Sequence, residues 1–147
     1  MNLASPPRVV LDTNLLVGAA YAPHSASGRL LGMAERGGIV WVVSPAVFGE
    51  YRVIVPKAVR RAGGVDRVLS ALRHAVAVVP TAAHDRRARG ASEDPADDKF
   101  LALADAAGAA VLLSNDHHLL DVGTHRGVPC RRPGDWVRDW ARAAPGA

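Results

Sequence analysis

Short β-rich runs that alternate with helical patterns predict an α/β fold, a three-layer α/β/α sandwich around a central, mainly parallel sheet. Two further observations point the same way. Acidic residues stand just behind several apolar runs, as expected where strand ends open onto a ligand crevice. The 147 residues, 49% hydrophobic and 22% charged, suit a single globular domain of ~100–200 residues and exclude a disordered tail protein. A chain of this size buries roughly two-thirds of its unfolded surface, so folding requires neither a disulfide nor a structural metal. Cys130 is the only cysteine, which excludes an internal disulfide and argues against a cysteine-based zinc site. No apolar run approaches the ~18 residues needed to cross a bilayer, and no basic segment with a signal core opens the chain. A cytoplasmic protein without a membrane partner is the expectation.

The elements follow in order. Arg8-Val9-Val10-Leu11 forms the first strand and stops at Asp12-Thr13-Asn14. Ile39 to Val43 forms the second, introduced by Gly37-Gly38, a natural stop for the helix before it. Ser44-Pro45 reads as an N-cap followed by proline in the first helical position. The helix it opens carries Val47, Phe48 and Glu50 and is expected to end near Pro56. Val65, Val68, Leu69 and Leu72 recur at helical spacing and predict an amphipathic helix over 64–74. Ala75 to Val79 is a third strand, closed by Pro80, and the polar residues 81–96 read as a loop with room for a short helix. From Asp97 onward Phe100, Leu103, Ala104 and Ala107 keep helical spacing up to a capping Gly108. Ala109 to Leu113 is a fourth strand ending at Ser114-Asn115-Asp116. Residues 127–131 suggest a short fifth strand, Asp135 to Trp140 a final helix, and 143–147 a frayed end. No repeat or linker divides the chain, so 1–147 is taken as one domain.

Net charge is +4, and its make-up matters more than its size. Only Lys57 and Lys99 are lysine; the other 16 basic residues are arginine. Arginine grips phosphates bidentately and would suit a nucleic-acid partner. A GC-rich coding sequence explains the arginine count equally well, so charge alone points toward nucleic acid without establishing it.

Ligands of open parallel sheets bind beyond the carboxyl ends of the strands. Asp12 follows the first strand and Asp116 the fourth, while Glu50 lies one to two turns into the helix leaving the second. Asp97 and Asp98 open the helix that feeds the fourth strand and therefore start at the same rim. Singly, each has an ordinary explanation as a helix cap, a surface residue, a favourable charge at a helix N-terminus or a turn residue. Their meeting on one rim is what carries weight. Carboxylates crowded in a dry cleft resist ionising. A hard divalent cation, Mg²⁺ or Mn²⁺, removes that penalty and prefers an oxygen-only shell. Such ions polarise a phosphoryl oxygen and activate water, so metal-assisted phosphodiester hydrolysis is the chemistry to expect.

These segments resemble a known family. Val9-Val10-Leu11-Asp12-Thr13-Asn14 is similar to the opening of a PIN domain, the metal-dependent ribonuclease fold. Ser44-Pro45-Ala46-Val47-Phe48-Gly49-Glu50 is similar to its second acidic segment. Asp94-Pro95-Ala96-Asp97-Asp98-Lys99-Phe100-Leu101-Ala102-Leu103-Ala104 resembles the third, in the subgroup described as VapC-like toxin components of toxin–antitoxin pairs. Ser114-Asn115-Asp116, before Leu119-Leu120, resembles the fourth. The resemblance runs from about residue 8 to 137. It implies a Mg²⁺- or Mn²⁺-dependent endoribonuclease whose metal-binding and catalytic acids are Asp12, Glu50, Asp97 and Asp116. It implies also that Asn14 and Ser114 hold the carboxylates by hydrogen bonds. Asp97 and Asp98 compete for the third position, and family spacing favours Asp97. Asp94 is expected to be a loop or capping residue, and Ala96 stands where relatives often carry Asp. His117 and His118 are expected on an exposed helix, with metal or phosphate contact as the alternative.

A dehalogenase-type phosphatase would need a second Asp where Asn14 stands, and a receiver domain would need a paired acid at its first strand. The alternative of a different class is a catalytically silent PIN-like module that only binds RNA or protein. Arg86, Arg87 and Arg89 precede Asp97 and are candidates to flank the cleft. The toxin-like resemblance implies RNA as substrate and a cognate antitoxin as partner. That antitoxin is expected to present Arg or Lys to the acids and an apolar helix to a groove beside the early helices around Leu15, Leu16, Leu30, Leu31 and Met33, although most of those five residues are expected to fill the core. The same resemblance implies homodimers, because PIN domains commonly pair.

Overall fold

A computed structural model describes residues 5–60 and 63–143. Strands β1 (Arg8–Leu11), β2 (Val40–Val43), β3 (Val76–Val78), β4 (Val111–Leu113), β5 (Thr124–His125) and β6 (Val128–Arg131) form one sheet in the order β3-β2-β1-β4-β6-β5. Every pairing is parallel except that of β5 with β6. The helices are α1 (Thr13–Tyr21), α2 (Ala26–Glu35), α3 (Pro45–Ala58), α4 (Gly64–Ala75), α5 (Ala82–Ala88), α6 (Asp98–Ala107), α7 (His117–Val122) and α8 (Pro133–Ala143). A 3-10 turn, Pro95–Asp97, leads into α6.

Strand order determines where a ligand crevice opens. From β1 the chain moves outward to β2 and β3, then returns to the other side of β1 as β4. Right-handed crossovers therefore put α1 to α4 on one face and α5 and α6 on the opposite face. Observed contacts agree: α2 touches α1, α4 and α8, while α5 lies on α6 and α6 on β1. The reversal lies between β1 and β4, and the crevice beyond their carboxyl ends is where such sheets bind ligands. The three-layer, mainly parallel sandwich expected from the sequence is the observed architecture.

Local chemistry explains most boundaries. Ser44 caps α3 by accepting the Val47 N–H at 3.1 Å, with Pro45 at the first helical position. The helix runs two residues past Pro56, because a proline in the last turn forfeits a single intrahelical bond and leaves its carbonyl partner to solvent. In α4, Val68 and Leu72 are buried and Val65 and Leu69 half-buried, as their spacing predicts. Gly108 ends α6 in the left-handed region at φ +57°, which an L side chain rarely adopts. Three strands are shorter than their apolar runs: Ile39 lies outside β2, Ala75 and Val79 outside β3, and Ala109 and Ala110 outside β4.

One short helix fills a stretch that had room for it, and one short strand was not anticipated. The polar stretch after Pro80 contains α5, and β5 pairs with β6 through a two-residue turn, Arg126-Gly127, with φ of +51° and +86°. Two positive φ values make a hairpin turn of the type usually signalled by Asn-Gly, so Arg-Gly gave little warning. The frayed end expected at 143–147 lies outside the described residues beyond Ala143. No helix among the described residues is long and apolar enough to cross a membrane.

Core filling, expected for most of the early apolar helix residues, holds for all five. Leu15, Leu16, Leu30, Leu31 and Met33 are all buried in the hydrophobic core and present no groove to a partner. They occupy the inner faces of α1 and α2, which the sheet and neighbouring helices cover. Leu31→Ala should therefore cost about 2–5 kcal/mol in urea unfolding, as a core truncation does. A cost under about 0.5 kcal/mol, typical of a surface site, would return this residue to a docking surface.

Candidate active site

The first two acids are joined by strand pairing. Val9, Val10 and Leu11 of β1 face Val111, Leu112 and Leu113 of β4, and Asp12 N–H donates to the Leu113 carbonyl at 3.0 Å, carrying the pairing one step further. Ser114, fully buried just past β4, donates its hydroxyl to Asp12 Oδ2 at 2.7 Å and accepts the Asp116 N–H at 2.9 Å. One serine oxygen thus fixes both acids. Asp116 in turn caps α7 by accepting the His118 N–H at 2.9 Å.

Glu50 enters from α3. Its Oε2 accepts the Thr13 hydroxyl, and its Oε1 lies 2.8 Å from Lys99 Nζ. Lys99 Nζ also donates to the Ala96 carbonyl and so ties α3 to the 3-10 turn. Asp97 closes that turn and is buried. Asp94 caps the turn by accepting the Ala96 N–H at 3.0 Å. Asp12, Thr13, Asn14, Glu50, Ile54, Asp94, Asp97 and Asp116 together line one cleft of about 240 Å³.

All four expected acids are therefore brought together. Asp98 points elsewhere: its two oxygens accept the Gly90 N–H at 2.9 Å and the Ser92 N–H at 3.2 Å, pinning the loop before the turn. Of the two candidates for the third position, Asp97 lines the cleft and Asp98 does not. Ser114 holds a carboxylate as expected, whereas Thr13, not Asn14, supplies the second side-chain hydroxyl contact. None of Arg86, Arg87 and Arg89 lines the cleft. Arg87 is drawn to Asp105 on α6, 2.9 Å away, where His84 also meets that carboxylate. Sequence reading missed Thr13 and Lys99 as site residues and underrated Asp94. Thr13 sat in plain view beside Asp12, but the Glu50–Lys99 pair joins residues 49 positions apart and left no local signal.

Electrostatics in the cleft are those of crowded like charges. Burial raises the Asp12 carboxyl above its ordinary range, and Asp116 and Glu50 add to the rise against the Ser114 hydrogen bond. Burial likewise pushes Asp97 up to about 6, reinforced by Asp116, Asp12 and Asp94. Asp97 Oδ2 is buried without a hydrogen-bond partner among the described residues. An unpaired buried carboxylate oxygen is costly and asks for a proton or a cation. An oxygen-only donor set of this kind fits a hard divalent ion. No three of these carboxylates bring oxygens within 4.8 Å of one another.

The raised Asp97 value has a consequence for stability. Between the ordinary aspartate value of 3.8 and about 6 the folded chain holds a proton that the unfolded chain has lost, so without metal stability falls as pH rises through that window. Asp97→Asn should match the parent near pH 4 and exceed it at pH 7 by on the order of 1–2 kcal/mol, after allowance for solvent screening. Urea unfolding in chelator measures this, and a variant less stable than the parent at pH 7 would contradict it.

Comparison with known proteins identifies the family and the fold. The family model for the PIN domain matches residues 8–118, a span that contains all four strand-end and helix-start acids. A search of curated protein sequences finds no match. Among solved structures, VapBC2 from Rickettsia felis bound to a DNA fragment from their promoter superposes with a TM-score of 0.60. Sequence identity is 15%, over 85% of this chain and 98% of that one, a likeness of fold. The chain belongs to the PIN domain family.

Proposed function

We propose that the chain is a Mg²⁺- or Mn²⁺-dependent endoribonuclease that hydrolyses RNA phosphodiester bonds, as the toxin of a toxin–antitoxin pair. The observation that carries this reading is the convergence of Asp12, Glu50, Asp97 and Asp116 on one cleft, with a buried Asp97 oxygen left unpartnered. Those four acids would hold the metal. A bound ion would supply charge neutralisation, polarisation of a phosphoryl oxygen and a lowered pKa for an attacking water. Ser114 keeps Asp12 aimed into the cleft, and Thr13 does the same for Glu50. Lys99 balances Glu50, whose carboxylate lines the cleft, and so eases the crowding of acids there. Ile54 gives the cleft an apolar rim.

The Lys99–Glu50 ion pair favours a second reading, a silent binding module in which lysine takes the place of metal. The toxin role rests on the motif resemblance and on the fold shared with the Rickettsia felis VapBC2 chain. An antitoxin would have to cover the acidic cleft and its Ile54 rim, since the leucines of α1 and α2 are not available to it. Homodimer formation is proposed on the same resemblance.

Purified protein should cleave single-stranded RNA with Mg²⁺ or Mn²⁺ and stop on addition of EDTA. Asp12→Asn should lower the rate by about 10²-fold or more while circular dichroism remains unchanged. Cleavage that persists in EDTA would overturn the metal mechanism, and an intact fold without cleavage in either ion would favour the binding module.

A further inference from the structure

Beside the cleft lies a donor set of different chemistry. Asp116, His117 and His118 each offer one ligand atom, and the three lie within 4.8 Å of one another. His118 N–H donates to Asp116 Oδ1 at 2.9 Å, and His117 Nδ1 stands 3.7 Å from the same oxygen. The two imidazoles meet edge-on, with centroids 4.1 Å apart. Among the described residues no other trio of His, Cys, Asp or Glu comes this close. Imidazole nitrogen is a borderline-soft donor. It adds little for Mg²⁺ or Mn²⁺ and much for the later first-row ions. Zinc–ligand bonds of ~2.0–2.2 Å hold tetrahedral donors about 3.3 Å apart. Rotation of the exposed His117 ring can close the remaining gap, and its exposure lets an ion enter from solvent.

We propose that Asp116, His117 and His118 form a site for a transition-metal ion of the Zn²⁺ class, set apart from the acidic cleft by its nitrogen donors and sharing Asp116 with it. An ion bound there draws on a carboxylate that the cleft uses, so Zn²⁺ opposes Mg²⁺- or Mn²⁺-dependent cleavage. That consequence rests on the ribonuclease reading; the site itself does not.

Zn²⁺ titration against a chromophoric chelator tests the site, using the full chain without a polyhistidine tag, with visible absorption of added Co²⁺ as a second readout. One Zn²⁺ per chain is expected. Affinity should fall roughly tenfold or more in His117→Ala/His118→Ala and hold in Asp12→Asn, and the Co²⁺ bands should vanish in the double variant alone. Equal affinity in the double variant would overturn the site. Loss of binding in Asp12→Asn would also overturn it, by moving the ion among the cleft acids. If the chain fails to cleave RNA with Mg²⁺, the ribonuclease reading falls and the titration still decides the site.

Discussion

Leu11 lies opposite Leu113 in the parallel pair of β1 and β4, and that register decides where two carboxylates end up. Asp12 and Ser114 are the next residues on each strand, so the serine hydroxyl reaches Asp12 while its oxygen receives the Asp116 N–H. Because side chains alternate along a strand, a slip of one residue would send Asp12 to the opposite face. The same pair straddles the reversal of strand order, where no crossover helix covers the strand ends and an open sheet leaves room for a ligand. Glu50 and Asp97 reach this place by another route, at the starts of helices that leave or re-enter the same rim.

Gathering acids in this way works against the folded state. Asp12 and Asp97 are buried, sit near other carboxylates, and hold their protons above the ordinary range in consequence. The fold offsets part of the cost with neutral donors, Ser114 and Thr13, and with a single lysine. Asp97 Oδ2 receives none of this help. A site whose own side chains leave a charge unbalanced is suited to gain a cation, and the imbalance is a general mark of functional sites. Asp98 shows the contrast: one residue further on, two backbone N–H groups satisfy it fully, and it serves the loop instead.

Much of this was legible in the sequence because it depends on local rules. Abrupt Asp residues behind Val-rich runs, the Ser44-Pro45 cap and Gly108 each have a short-range physical meaning, and all lie where those rules put them. The rim acids were legible because topology sends strand ends and returning helix starts to one edge, and the family resemblance chose Asp97 over Asp98 among them. Contacts between distant segments were not legible. The Lys99–Glu50 pair and the Thr13 hydroxyl on Glu50 depend on how α3 seats against α1 and α6, which no spacing encodes. For the early leucines both a docking groove and the core were open, because an amphipathic helix reads alike whether its apolar side meets a partner or its own core. In the fold, their own core wins.

The central claim is that the rim acids form a divalent-ion site, and calorimetric titration of the metal-free chain with Mn²⁺ tests it most directly. The account predicts saturable binding that disappears in Asp12→Asn and survives in Asp98→Asn, whose carboxylate serves the 90–92 loop. Binding that ignores Asp12→Asn, or an absence of binding in the parent, would contradict it.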